Sequence, residues 1–273
     1  MDPTTIPYPL RFGVYDLMKP AYVLLAATAI FASAACNAEK GTSTSSGGAG
    51  TVSTGPITPV AAPNGGDWTK MVVRTPEGGF LMGNPKADVK LIEFGSMTCP
   101  HCAEFEEKGG EPLISNYVKS GRVSYEFRNF VRDPFDLTAA LIARCGGPDR
   151  FFPVTRALYT NQREWTGKLQ EVPKEQFEAL QNVGPEKQFT EIAKLAGLVP
   201  WAAQRGIPSA KSNVCLADQN EINLLVQMNG DATSQFPEFS GTPSFVINGK
   251  LLQQTATWDK LEPQLRDALG ERG

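Results

Sequence analysis

Three regimes of hydrophobic and polar positions follow one another along the chain. Ala21–Ala35 is apolar and uncharged for 15 positions; Gly41–Gly66 is uncharged and dominated by Gly, Ser, Thr, Pro and Ala; from Trp68 onward, short apolar runs alternate with stripes of helical spacing. In the third regime Lys90-Leu91-Ile92-Glu93-Phe94 reads as a strand, Gly95-Ser96-Met97-Thr98 as a turn, and Ala103–Lys108 as a helix former. A helical stretch follows. Asp136 can cap Leu137–Arg144, Pro153–Asn161 and Lys174–Gln181 are further candidates, and Pro185 opens a helix that Gly197 closes, with Phe189, Ile192 and Leu195 on one face. Ser212–Met228 and Trp258–Leu269 complete the set, and these stripes read as core faces. Ser244–Ile247 is a strand that Asn248-Gly249 turns back as a type I′ hairpin.

The first regime has the length of a signal-peptide core and falls short of the about 20 residues a bilayer span needs. Met18-Lys19 just before it makes an ordinary start, so the coding start is Met1 or Met18. Ser33-Ala34-Ala35-Cys36 resembles a bacterial lipobox, which would be cut before Cys36 and lipidated there, although Ser33 stands where leucine is usual. An ordinary cut after Ala32-Ser33-Ala34 is the plainer reading and leaves a free thiol in an oxidising compartment; an uncleaved anchor is the third. The second regime cannot bury enough apolar surface to order itself. A flexible chain of that length spans about 28 Å, which suits a tether, though a leader with no tethering role has the same composition.

Composition narrows the chemistry. A chain of 273 residues that is 41% hydrophobic supports one large or two modest cores. The net charge of -3, with no dense Lys/Arg block, argues against nucleic acid or anionic lipid as a partner. One histidine leaves nothing for a zinc protease helix, a His-rich metal cage or a zinc finger, so no metal is expected. That histidine is His101, inside Cys99-Pro100-His101-Cys102 at a strand-to-helix junction, the context of a redox pair. A zinc ribbon would need a second such pair, while a structural disulfide remains the bland alternative.

The spacing has a physical reason. The first turn of a helix offers unsatisfied N–H groups and a positive dipole end to a thiolate at Cys99. The dipole contributes about 0.3–2 kcal/mol, about one pKa unit, so His101 and the loop amides are expected to add hydrogen bonds. Each unit shifts the couple by about 30 mV toward oxidising power. Cys102, one turn in, would be shielded and would resolve or release a mixed disulfide.

The run Leu91–Glu107, LIEFGSMTCPHCAEFEE, resembles the active-site segment of the DsbA-type thiol-disulfide oxidoreductases, and Ser240–Lys250, SGTPSFVINGK, resembles that family's Thr-Pro turn and hairpin. The resemblance covers Trp68–Gly273, about three quarters of the chain. It implies an α/β thioredoxin fold with an inserted all-helical domain, preceded by a signal peptide and disordered linker. The expected division is a leader over 1–36, a linker over 37–66, a thioredoxin-like domain from 67–134 and 237–273, and a helical insert over 135–236. It implies a cis bond at Thr242-Pro243 facing Cys99, substrate held by Thr242 and Pro243, and Glu93 as a buried acid passing protons to and from Cys102. An ordinary exposed strand carboxylate is the other reading of Glu93. Glu104, Glu106 and Glu107 read as a solvated helix face.

The implied activity is disulfide formation in exported proteins of the periplasm or cell envelope, with Cys99-Cys102 as the redox-active disulfide and no other cofactor. Substrates would be unfolded or reduced exported proteins, and a membrane thiol-oxidising or thiol-reducing protein would be the partner, with Cys36 as a membrane tether. Thr242 also resembles the isomerase branch, which keeps a reductase or isomerase open; a tethered peptide-binding or metal-holding module is a third reading. The remaining Cys145 and Cys215 are most simply a disulfide in an exported domain, against two buried free thiols. Closing a loop of about 70 residues would stabilise by about 4 kcal/mol.

Overall fold

The computed structural model describes residues 57–270, so the leader, the lipobox with Cys36 and most of the linker lie outside the described residues. Six strands form one sheet in the order β1-β2-β4-β3-β5-β6: β1 (Val72–Arg74), β2 (Phe80–Gly83), β3 (Val89–Gly95), β4 (Val123–Asn129), β5 (Ser244–Ile247) and β6 (Lys250–Leu251). Only the central pair β3·β4 is parallel. Both strands lie mid-sheet and are covered on both faces, which is why they read as near-continuous apolar runs. One face carries Leu91, Phe80, Phe127 and Phe245, packed under helices, with Phe80 stacked on Phe151 at 4.0 Å. The other carries Phe94 and Val246, closed by Ala232 and Phe236.

The crossover between β3 and β4 is helical, with α1 (Pro100–Phe105) running on through wider turns at Glu106–Gly110 and Leu113–Val118. Eight helices lie between β4 and β5: α2 (Pro134–Cys145), α3 (Pro148–Thr160), α4 (Gln162–Gln170), α5 (Lys174–Gln181), α6 (Pro185–Leu195), α7 (Leu198–Ala203), α8 (Ser209–Leu216) and α9 (Gln219–Gln235); α10 (Trp258–Ala268) follows the hairpin. This is a thioredoxin fold with a helical insert. Every residue of α2 is buried, which makes that helix the insert's centre. Arg144 on α2 fastens the insert to the sheet, donating to Gly78 O at 2.8 Å and Asn129 Oδ1 at 3.0 Å and pairing with Glu221 on α9. The hairpin turn is the expected one, with Asn248 and Gly249 both at positive φ, 48° and 83°.

Several expected boundaries move. The cap of α2 is Asp133, whose Oδ1 accepts from Phe135 N and Asp136 N at 2.8 Å, with Pro134 in the first turn. Asp136 sits inside the helix. Ser212–Met228 is two helices, because Asp218 caps a new start and accepts from Asn220 N and Glu221 N. The helix expected from Pro153 begins earlier, at Pro148. Residues 57–66, expected from composition to lie in the linker, are tied to the fold: Val60 N donates to Ser120 O at 2.7 Å, the Trp68 indole donates to Val60 O at 2.8 Å, and Ile57 packs on the core. Sparse apolar residues suffice there because an existing surface receives them.

Candidate active site

Strand β3 ends at Gly95, where any Cβ would collide with the Phe127 ring, and the chain turns through Ser96–Thr98 into α1. Cys99 occupies the N-cap, at φ -80° and ψ 118°, with Pro100 in the first turn. Proline fits there because its fixed φ suits a helix start and its missing N–H would be unpaired anyway. The N-cap side chain faces the free N–H groups of the first turn. A sulfur there, as an anion, accepts from the backbone N–H and the thiol of Cys102, one turn on. As a thiol, Cys99 Sγ donates to Thr242 O at 3.1 Å, and the Thr242-Pro243 bond is cis.

The two buried thiols are pushed in opposite directions. Cys99 falls from the ordinary thiol value to about 5, chiefly through the Cys102 thiol; burial opposes this, and the Thr242 side chain, the Cys102 N–H and the charge of Arg132 help. The Thr242 hydroxyl is buried and has no hydrogen-bond partner while Cys99 is a thiol, which leaves its proton for the anion. Cys102 rises well above the ordinary value, first through burial, then because it donates to Cys99.

Glu93 lies on β3 with 2% of its surface exposed, so it is a buried acid and not a surface charge. Burial raises its carboxyl to about 8, against the Tyr125 hydroxyl, which donates to Oε2 at 2.6 Å. The Cys99 charge acts on Glu93, and that of Glu93 on Cys102, so the three form one electrostatic unit.

Two expectations fail here. His101 does not touch Cys99: its ring points outward, 76% exposed, with Nδ1 3.8 Å from Glu104 Oε2. A side chain one residue past Pro100 leaves the helix on the far side from the N-cap sulfur, and Arg132 supplies the positive charge instead. Glu106 is not solvated like Glu104 and Glu107. It is mostly buried and paired with Arg156, because its side chain faces α3.

A family model described as thioredoxin matches residues 75–267. The chain belongs to the thioredoxin family. A protein-disulfide isomerase from Novosphingobium aromaticivorans is 37% identical in its crystal structure, over 69% of this chain and 96% of its own, with a TM-score of 0.66. The alpha-DsbA1 of Wolbachia pipientis shares the fold at 20% identity, over 72% of this chain and 94% of its own, with a TM-score of 0.58. A curated relative from Rickettsia prowazekii, "Putative protein-disulfide oxidoreductase RP025", is 28% identical over 66% of this chain and 58% of its own length. The chain thus spans less than two thirds of the curated relatives it matches.

In this thioredoxin-family member the insert reaches back to the loop before Cys99. Asp136 Oδ2 accepts from Ser96 Oγ at 2.6 Å and Arg132 N at 2.9 Å, and its Oδ1 accepts from Met97 N at 2.7 Å. Burial and then the neighbouring Asp133 hold the Asp136 carboxyl above its ordinary value. The Gln162 amide donates to Met97 O at 2.8 Å and Cys99 O at 2.9 Å, and Arg132 Nη2 donates to Thr98 O at 3.3 Å. Gln162 and Arg132 carry no mark in the sequence, since neither stands in a motif or beside the cysteines. The other pair, Cys145 and Cys215, is a disulfide joining α2 to α8. Among the described residues no group of three or more His, Cys, Asp or Glu side chains could hold a metal ion, and no helix is long and apolar enough to cross a membrane.

Proposed function

We propose that this chain is a thiol-disulfide oxidoreductase of the cell envelope that forms disulfides in exported proteins through Cys99 and Cys102. One observation carries the reading: two thiols a helical turn apart are displaced in opposite directions, Cys99 to about 5 and Cys102 well upward. At pH 7 the Cys99 anion favours the dithiol form by about 3 kcal/mol, or about 60 mV of oxidising power.

In the oxidised form a substrate thiolate attacks Cys99 Sγ. The Cys99–Cys102 bond breaks, its electron pair leaves on Cys102, and Glu93, which burial keeps protonated at neutral pH, would supply the proton. A second substrate thiolate then attacks the substrate's own sulfur in the mixed disulfide, and Cys99 leaves as a stabilised anion. Two electrons pass from the substrate dithiol to the Cys99–Cys102 disulfide. Thr242 and Pro243 would flank the bound peptide, and a membrane thiol-oxidising protein would return the pair to the disulfide. Cys36 would tether the domain. No further cofactor is required.

The name of the relative from Novosphingobium aromaticivorans favours a second reading, an isomerase or reductase kept reduced by its partner. Titration against glutathione, with peptide oxidation and insulin reduction assayed beside it, separates the oxidase from a reductase, and recovery of activity in a substrate with scrambled disulfides separates it from an isomerase. A potential above about -200 mV with peptide oxidation is the expected result; one near about -270 mV with insulin reduction reverses the direction.

A further inference from the structure

We propose that Gln162 is a positioning residue of the thiol centre, so that the helical insert, and not the sheet alone, holds Cys99 in the geometry that stabilises its anion. The inference rests on the redox reading above and adds a residue outside the two motifs. Gln162 is the first residue of α4 and is buried. Its single Nε2 bridges Met97 O and Cys99 O, the carbonyls on either side of the Thr98–Cys99 segment. Cys99 O also accepts the first hydrogen bond of α1, from Ala103 N at 3.2 Å. The orientation of that carbonyl fixes ψ at Cys99. This angle decides whether the sulfur faces the free N–H groups of the first turn or swings away from them.

Asp136 does the complementary work, accepting the N–H of Met97 while Gln162 donates to that residue's carbonyl. The loop is thus held from both sides by insert residues, and neither clamp touches sulfur. An apolar side chain at 162 would leave two carbonyl oxygens buried without that donor, and the loop would relax toward water.

The test compares Gln162→Met with Leu169→Ala, a core substitution in the same helix, and reads the Cys99 ionisation midpoint from thiolate absorbance and the glutathione equilibrium of the pair. Gln162→Met is expected to raise the midpoint by about one unit and shift the equilibrium about tenfold toward the disulfide form, about 30 mV. Leu169→Ala is expected to lower the melting temperature and move neither. If Gln162→Met fails to fold, Gln162→Ala, which leaves room for water, should shift both readouts in the same direction by less. Unchanged readouts in the folded 162 variant, or equal shifts from Leu169→Ala, overturn the proposal. Should the wild-type protein fail to exchange with glutathione, the proposed function falls, and the ionisation midpoints still decide the role of Gln162.

Discussion

The two cysteine pairs of this molecule differ in every respect that governs a disulfide. Cys99 and Cys102 lie three residues apart at the N-terminal start of α1, while Cys145 is the last residue of α2 and meets Cys215 from a sequence separation of 70. A thiolate at a helix start is stabilised by free N–H groups; at a helix end it faces the negative pole. A bond across three residues constrains the unfolded chain little, whereas one across 70 constrains it greatly. Helix polarity and loop length therefore fit one pair for exchange and the other for retention.

The sharpest way to break that contrast is to delete each pair. Cys99→Ser should abolish exchange with glutathione and with reduced peptide, because the attacked sulfur is gone. The double substitution Cys145→Ala with Cys215→Ala should leave exchange intact and lower unfolding stability by about 4 kcal/mol, read from denaturant midpoints under non-reducing conditions. Loss of exchange in the second variant would erase the division of labour.

Acidity gives the next largest effect. The folded Cys99 value is depressed, so its contribution to the dithiol form is complete above the ordinary thiol range and is lost as pH falls toward about 5. Between pH 7 and 5 the dithiol form should lose about 2 kcal/mol of this stabilisation, while the disulfide form, which has no thiol to ionise, loses none of it. Parallel unfolding titrations of the two redox forms check this. Glu93 works in the opposite sense, since its raised value stabilises the fold only below the ordinary carboxylate range and that contribution drains away as pH rises to about 8. Glu93→Gln should flatten this slope in both redox forms and raise stability at pH 7 by about 1–3 kcal/mol.

Smaller changes sharpen the picture. Thr242→Val removes a hydroxyl that helps the anion and should raise the Cys99 midpoint by up to about one unit, with the thiolate absorbance as readout. Glu104→Gln breaks an exposed pair with Lys108 and should leave exchange and melting temperature unchanged, since surface pairs of this kind are screened by water.

Legibility followed the range of the interactions. Cys99 through Cys102, the Asn248-Gly249 turn and the proline at 243 are local signals, and each occupies the expected place in the fold. Asp136 was legible as an acid near a helix start, but not as the acceptor for Ser96 and Met97, because those partners lie 40 and 39 residues away. His101 shows the reverse failure: adjacency suggested contact, and the direction in which its side chain leaves α1 denies it.

The strand, the helix start, the sulfur spacing and the thioredoxin pattern are written in the residue order, since backbone geometry and periodicity depend on residues within one or two turns of each other. Tertiary structure alone decided which carboxyls are buried, which cation reaches Cys99, and that Gln162 holds its carbonyl. Those depend on surfaces brought together from far apart in the chain, where desolvation and hydrogen bonding act over a few ångströms of space regardless of distance along the sequence.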